Sequence, residues 1–289
     1  MKTIHKVWLY ALSITVLSAA RGDSLPALKA LDKPSALRMY ALDCGSFDAR
    51  DMGMFADTGE FDKQPGKLIG TCFLLSHPKG TLLWDTGLPD SLVNVPAGVT
   101  DPFGITLKVQ KTLAAQLAEL NVKPSDIDYV AFSHLHGDHT GNANLFTAST
   151  WIIGKPELAW ALGKPTPAGV APPSLSGHKK AKLQFIDFDH DVFGDGSVRI
   201  LRTPGHTPGH QALLVSLAKA GKFVLSGDLF HTKTSAAKGL IPPFNNSRAD
   251  TLASIDRISK ILKLNNARLI VQHAPEDFAS LPKFPAYLE

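Results

Sequence analysis

Short apolar, β-prone runs separated by turn signals fill most of this chain, and helical spacing is confined to a few segments. Leu37–Leu42 predicts a first strand. Gly70–Ser76 and Thr81–Asp85 predict a hairpin, because His77-Pro-Lys-Gly80 between them is a turn signal. Ile105, Val109, Leu113, Leu117 and Leu120 recur at helical spacing and predict one amphipathic helix. Tyr129–Phe132 and Trp151–Ile153 predict further strands, and Pro156–Leu162 a short helix. Residues 163–182, rich in Pro, Gly, Ser and Lys, predict a surface loop within one domain, since strand patterns resume beyond it. Leu183–Phe188, Val198–Arg202, Gln211–Leu217 and Phe223–Ser226 follow as strands. Ile255, Ile258, Ile261 and Leu262 mark a helix, and Leu269–Val271 a last strand. Strand-rich halves that each carry helices predict an α/β fold of two packed sheets with helices outside.

The first residues stand apart from that pattern. Lys2 and Lys6 precede the apolar run Val7–Leu17, and Ser18-Ala19-Ala20 offers the small residues a signal peptidase reads. The run is too short to span a bilayer comfortably. Residues 1–20 therefore read as a secretory leader, 21–36 as a Pro-rich linker and 37–289 as one domain. The alternative is an uncleaved anchor. The chain has 289 residues, with 44% hydrophobic and 19% charged, which suits a packed globule and argues against a disordered or fibrous one. The formal charge of +4 falls to near +2 once Lys2 and Lys6 leave with the leader, too weak a bias for a nucleic-acid partner. The expected location is periplasmic or secreted, with no membrane attachment after cleavage, and a homodimer is left open. Cys44 and Cys72 are two cysteines only, so one disulfide or two free thiols both remain open.

The histidines carry the candidate chemistry. His134, His136, His139, His206, His210, His231 and His273 all sit just past a predicted strand or in a Gly/Pro-rich turn. A rigid scaffold places ligand residues on such loops. His134 and His136, two apart in an extended segment, can point to one side and bite one metal. Gly137 lets the chain turn, so Asp138 and His139 can face a second. Imidazole and carboxylate together suit zinc, with iron, manganese and cobalt as competitors. Two such ions activate water while polarising a carbonyl.

The string Ser133-His-Leu-His-Gly-Asp-His-Thr-Gly141 resembles the HxHxDH signature of the metallo-β-lactamase superfamily. Leu83-Trp-Asp-Thr-Gly87 is similar to that family's early DTG turn, and Thr203-Pro-Gly-His-Thr-Pro-Gly-His210 to its TPGHTxGH turn. Gly227-Asp228 and His273 match in order and spacing. The resemblance implies an αββα sandwich of two mixed β-sheets with outer helices, the metallo-β-lactamase fold, and a site at one edge between the sheets. It also implies two Zn2+ ions, or other divalent metals. His134, His136 and His206 would hold the first, Asp138, His139 and His273 the second, with Asp228 bridging. His210 would be a supporting residue. Asp85 is a carboxylate able to orient a ligand imidazole, or one that only caps a turn.

Within the superfamily, Leu42-Asp-Cys-Gly45, His77-Pro-Lys-Gly-Thr-Leu-Leu-Trp-Asp-Thr-Gly87 and Ile127-Asp-Tyr-Val-Ala-Phe-Ser-His-Leu-His136 resemble the wording of N-acyl homoserine lactone lactonases. This implies a quorum-quenching hydrolase that opens a lactone ring with metal-activated water, acting on a small acyl lactone or ester. The catalytic residues would be Asp138, Asp228 and His231. A zinc β-lactamase, or another ester, thioester or organophosphate hydrolase of the same fold, is the alternative. Met52, Met54 and Phe55 either line an acyl channel or belong to the core; Met54 and Phe55, with His231, are the substrate-binding candidates. One position departs from the pattern: His231 stands where many lactonases of this type carry tyrosine. It either contacts the substrate or only packs in its loop.

The tripartite leader predicts a mature chain that begins at Arg21. Mass spectrometry of protein secreted by its native host reads this directly, and a start at Met1 or Lys2 would contradict it.

Overall fold

Phe73, Leu74 and Leu75 are all completely buried, although successive strand residues point to opposite faces of a sheet. A strand with both faces covered reads as a continuous apolar run, and the same holds for Leu82–Trp84 and Leu213–Val215. This double covering is the organising feature of the computed structural model, which describes residues 34–289. The leader, and all of the linker but its last residues, lie outside the described residues.

β1 (Arg38–Ala49), β2 (Gly66–His77) and β3 (Gly80–Trp84) form an antiparallel meander. β4 (Val99–Thr100) and β5 (Ile105–Lys108) extend it beyond β1. β6 (Tyr129–Ala131), β7 (Thr150–Gly154) and β8 (Lys182–Ile186) continue it beyond β3, each parallel to its neighbour. The strand order is thus β4-β5-β1-β2-β3-β6-β7-β8. The second sheet is built from β9 (His190–Asp191), β10 (Val198–Arg202), β11 (Gln211–Leu217), β12 (Gly221–Leu225) and β13 (Arg268–Ile270). Its order is β13-β12-β11-β10-β9, with β13 parallel to β12 and the rest antiparallel.

Between the sheets, Phe73, Leu75, Leu82 and Trp84 pack with Ile200, Leu213, Val215 and Leu225. The opposite face of the first sheet, with Leu74, Leu83, Val130 and Trp151, packs under α1 (Leu113–Glu119), while the one-turn α2 (Gly137–Thr140) follows β6 and α3 (Glu157–Ala161) supplies Leu158 and Ala161. After α4 (Lys233–Lys238), α5 (Arg248–Asn265) lays Ile258 on Leu201, Leu214 and Val224, and α6 (Pro275–Ala279) ends the series. The architecture is an αββα sandwich of two mixed sheets, as expected. Each completely buried leucine contributes about 1.5–3 kcal/mol relative to exposure.

Two expectations need correction. The spacing over Ile105–Leu120 is only partly helical: Ile105–Lys108 is β5, paired with Ser46–Ala49, and the helix begins at Leu113. The positions coincide with a helical period, but Ile105, Thr106 and Val109 are β-branched, and β1 offers an open edge. The helix starts where Thr112 Oγ1 accepts a hydrogen bond from the Ala115 N–H, an N-cap. The segment 163–182 is not a simple surface loop. It contains a 3₁₀ helix, Pro172–Lys179, buries Leu175 and Gly177, and lays Gly169 against His136. The remaining strand and helix expectations hold to within a few residues, apart from the first strand, which runs on to Ala49.

Cys44 and Cys72 form a disulfide between β1 and β2. It sits at a shift in the β1–β2 register between Asp43 and Ser46, where Gly45 adopts a φ of 130° that a side chain would resist. No described helix is long and apolar enough to cross a membrane.

Candidate metal centre

Strand ends bring the candidate residues together. β3 and β6 are parallel neighbours, so Asp85, just past β3, lies beside Ser133, just past β6, and accepts its N–H at 2.6 Å. His134 and His136 continue that segment, and α2 presents Asp138 and His139. His206 comes from the turn between β10 and β11, Asp228 from the end of β12 and His273 from the end of β13. All seven expected ligands converge in two groups, His134–His136–His206–Asp228 and Asp138–His139–His273.

In the first group, His134 Nε2 lies 2.9 Å from His136 Nδ1, and His206 Nε2 lies 3.2 and 3.1 Å from these two atoms. In the second, His139 Nε2 and His273 Nε2 are 3.2 Å apart, each 3.6 Å from Asp138 Oδ2. Asp228 faces both. Its Oδ2 lies 3.7 Å from His134 Nε2 and 3.4 Å from His206 Nε2, while its Oδ1 is 3.0 Å from both His139 Nε2 and His273 Nε2.

The outward nitrogens decide what these rings offer inward. His139 Nδ1 donates to Asp85 Oδ2 at 2.9 Å, His273 Nδ1 to the Ile69 carbonyl at 2.8 Å, and His206 Nδ1 to Asn245 Oδ1 at 2.9 Å. A neutral imidazole has one N–H, so the Nε2 atoms of these rings carry bare lone pairs into the centre. Bare lone pairs 3.2 Å apart repel, and Asp228 Oδ1 is buried with no hydrogen-bond partner. Both features fit a cation among them. A tetrahedral zinc with bonds of about 2.0–2.1 Å sets its ligand nitrogens about 3.3 Å apart, close to the spacings here. The donor set fits a divalent metal.

The electrostatics divide the two groups. Burial lowers His136 and His206 to about 3, which keeps them neutral as ligands must be. His139 and His273 are buried too, but Asp228 outweighs that burial and raises both, so these two rings favour a second proton that a metal ion would displace. The same imidazoles hold Asp228 well below the usual carboxylate range despite its own burial. Such a field around one carboxylate marks a place for positive charge.

Support comes from residues outside the ligand set. His210 Nδ1 meets the Thr203 carbonyl at 2.9 Å and its Nε2 accepts the Asp228 N–H at 2.9 Å, so it positions Asp228 and lies outside both ligand groups. Asp85, left between two roles, contacts the ligand His139 directly. It holds a left-handed φ of 60°, a conformation uncommon for residues other than glycine. Sequence reasoning missed Glu157. It is buried, accepts the Leu135 N–H at 3.0 Å and the Gly209 N–H at 2.7 Å, and is pushed up to about 7 by burial. It thereby ties the segment of His134 and His136 to the turn of His206. Its sequence signal is an acid on the otherwise apolar face of a short helix.

The ligands open on a cavity of about 630 Å³ whose lining includes the substrate-binding candidates Met54, Phe55 and His231. Met52 does not line it; it is buried beneath Gly66 in the core. Phe47, Leu68 and Phe103 extend the apolar wall, and Trp160 and Gly169 close the opposite side. His231 Nε2 is 3.1 Å from Asp228 Oδ2, and its Nδ1 is buried without a partner.

The sequence profile of the metallo-beta-lactamase superfamily matches residues 65–273. The chain belongs to this superfamily. Among relatives of the superfamily, an N-acyl homoserine lactonase, AttM, of Azorhizobium caulinodans is 29% identical over 262 residues, covering 88% of this chain and 99% of that one. AttM of Rhizobium radiobacter is 31% identical over 224 residues, covering 74% and 85%. A solved N-acyl homoserine lactone hydrolase with the product N-hexanoyl-L-homoserine bound at its catalytic metal centre is 26% identical. It superposes with a TM-score of 0.75 over 88% of this chain and all of that one.

Because Asp85 fixes the tautomer of His139, Asp85→Asn is expected to weaken divalent-metal binding about 10–100-fold. Competition against a chromophoric chelator measures this, and wild-type affinity in the variant would show that Asp85 only shapes its turn.

Proposed function

We propose that this chain is a dinuclear zinc hydrolase that opens the lactone ring of N-acyl homoserine lactones. The observation that carries the reading is Asp228, whose two oxygens face two separate ligand groups at the floor of a largely apolar cavity. The lactonase relatives and the product-bound neighbour support the choice of substrate.

Two zinc ions in these groups would supply Lewis acidity, polarising an ester carbonyl and acidifying water. The chain's own residues do the rest. Asp138, part-exposed on the cavity side, takes a proton as water attacks the carbonyl and returns it to the ring oxygen when the ester C–O bond breaks. Phe47, Met54, Leu68 and Phe103 offer an apolar surface for an acyl tail while the polar head meets the ligand floor. His231 donates its Nε2–H to Asp228 and keeps Nδ1 free as an acceptor, beside Phe55 at a ring distance of 5.1 Å, where it takes a hydrogen bond from the substrate head group.

We also read residues 1–20 as an export leader, 21–36 as a linker and the remainder as the catalytic domain, acting in the periplasm or outside the cell. The Cys44–Cys72 disulfide supports this, since such bonds persist in oxidising compartments.

The test is hydrolysis of acyl homoserine lactones of graded chain length by the zinc-loaded protein, beside nitrocefin. Lactone opening with little nitrocefin turnover is expected; the reverse order would overturn the substrate assignment. A lost transition-state hydrogen bond costs about 2–4 kcal/mol, so His231→Ala should lower kcat about 10²–10³-fold with bound metal unchanged. His231→Tyr should recover much of that loss, because a phenol oxygen also accepts a hydrogen bond. Near-normal turnover in His231→Ala would show that His231 merely packs in its loop.

A further inference from the structure

Gln272 precedes His273 at the end of β13 and is 1% exposed. Its amide makes four hydrogen bonds. Oε1 accepts from Trp84 Nε1 at 2.8 Å and from the Gly227 N–H at 2.8 Å. Nε2 donates to the Thr71 carbonyl at 3.1 Å and to Asp85 Oδ2 at 3.0 Å. A primary amide has two acceptor sites and two donor protons, so all four valences are used and the amide cannot be flipped without opposing like groups. The partners come from β2, the end of β3 and the turn after β12. One side chain from the second sheet thus grips the first sheet directly behind the Asp138–His139–His273 group.

Two of those partners lead to the ligands. Asp85 Oδ2, which takes the Gln272 proton, also takes the His139 Nδ1 proton at 2.9 Å, so Gln272 restrains the carboxylate that fixes the His139 tautomer. Gly227 immediately precedes Asp228 and has a left-handed φ of 52°, so the bond to its N–H holds the peptide one residue before the one that carries Asp228. His273 itself is the next residue in the chain. We infer that Gln272 is a positioning residue that sets the second ligand group through Asp85 and His139, while its bond to Gly227 fastens the turn before Asp228.

This rests on the reading of the site as a two-metal centre. A purely structural Gln272 would fasten the sheets and leave metal affinity alone. The two roles separate in a chelator-competition titration of the zinc protein, with the cobalt-substituted protein's absorption spectrum as a second readout. Gln272→Met keeps the side chain's length and removes all four bonds. It is expected to weaken one of the two ions about 10–100-fold, leave the other at wild-type affinity and alter the cobalt spectrum. Trp84→Phe, which deletes only one of the two partners that lead to no ligand, should lower Tm without moving either affinity. Gln272→Met combined with Asp85→Asn should bind the weaker ion no worse than Asp85→Asn alone, because both changes act through His139. Should Gln272→Met not fold, Gln272→Asn, one methylene too short to hold Asp85 and Trp84 together, carries the same expectation. A folded Gln272 variant that keeps both ions at wild-type affinity, or loses both equally, overturns the assignment. A wild-type chain that takes up no metal overturns the two-metal reading, and the role of Gln272 with it.

Discussion

Everything at this site depends on one buried carboxylate, Asp228, held between imidazoles whose outer nitrogens are already bonded. Its Oδ1 stands 3.0 Å from His139 and His273 Nε2, and each of these rings, when neutral, spends its one N–H outward. An arrangement of opposed acceptors is costly to bury unless positive charge enters it. The fold maintains it by fixing the outer nitrogens with Asp85, Ile69 and Asn245, and by anchoring the Asp228 main chain on His210.

That constraint explains why two polar residues behind the site, Glu157 and Gln272, are so fully bonded. Glu157 joins the two segments that supply His134, His136 and His206. Gln272 joins the two sheets behind His139 and His273. Buried polar groups of this kind rigidify a site when every valence is met and destabilise it when one is not. The apolar layers do the complementary work. With the central strands covered on both faces, the strand ends are held in place, and the ligands ride on short turns from rigid supports.

The local parts of this arrangement were legible in the chain. His134, His136, Asp138 and His139 lie within six positions, and the turns holding His206, Asp228 and His273 carry recognisable Gly and Pro spacing. The two-sheet architecture followed from alternating runs and turn signals. What escaped was non-local. Gln272 and Asp85 are separated by 187 residues, and nothing in the sequence around either reports the other. The helical period over Ile105–Leu120 was overridden by the open edge of β1, a tertiary partner invisible to local spacing. The Pro- and Gly-rich segment 163–182 looked like solvent-exposed loop, yet its small residues let Gly169 approach His136 closely enough to form a wall of the cavity. His231 was singled out by position alone, and its contact with Asp228 became visible only with the fold.

The central claim is that two cations share Asp228, and anomalous diffraction from crystals of the zinc-loaded protein tests it most directly. The account requires two zinc peaks about 3.5–4 Å apart, one among His134, His136 and His206 and the other among Asp138, His139 and His273, with one Asp228 oxygen on each. A single peak, or two peaks with Asp228 bound to neither, would contradict it.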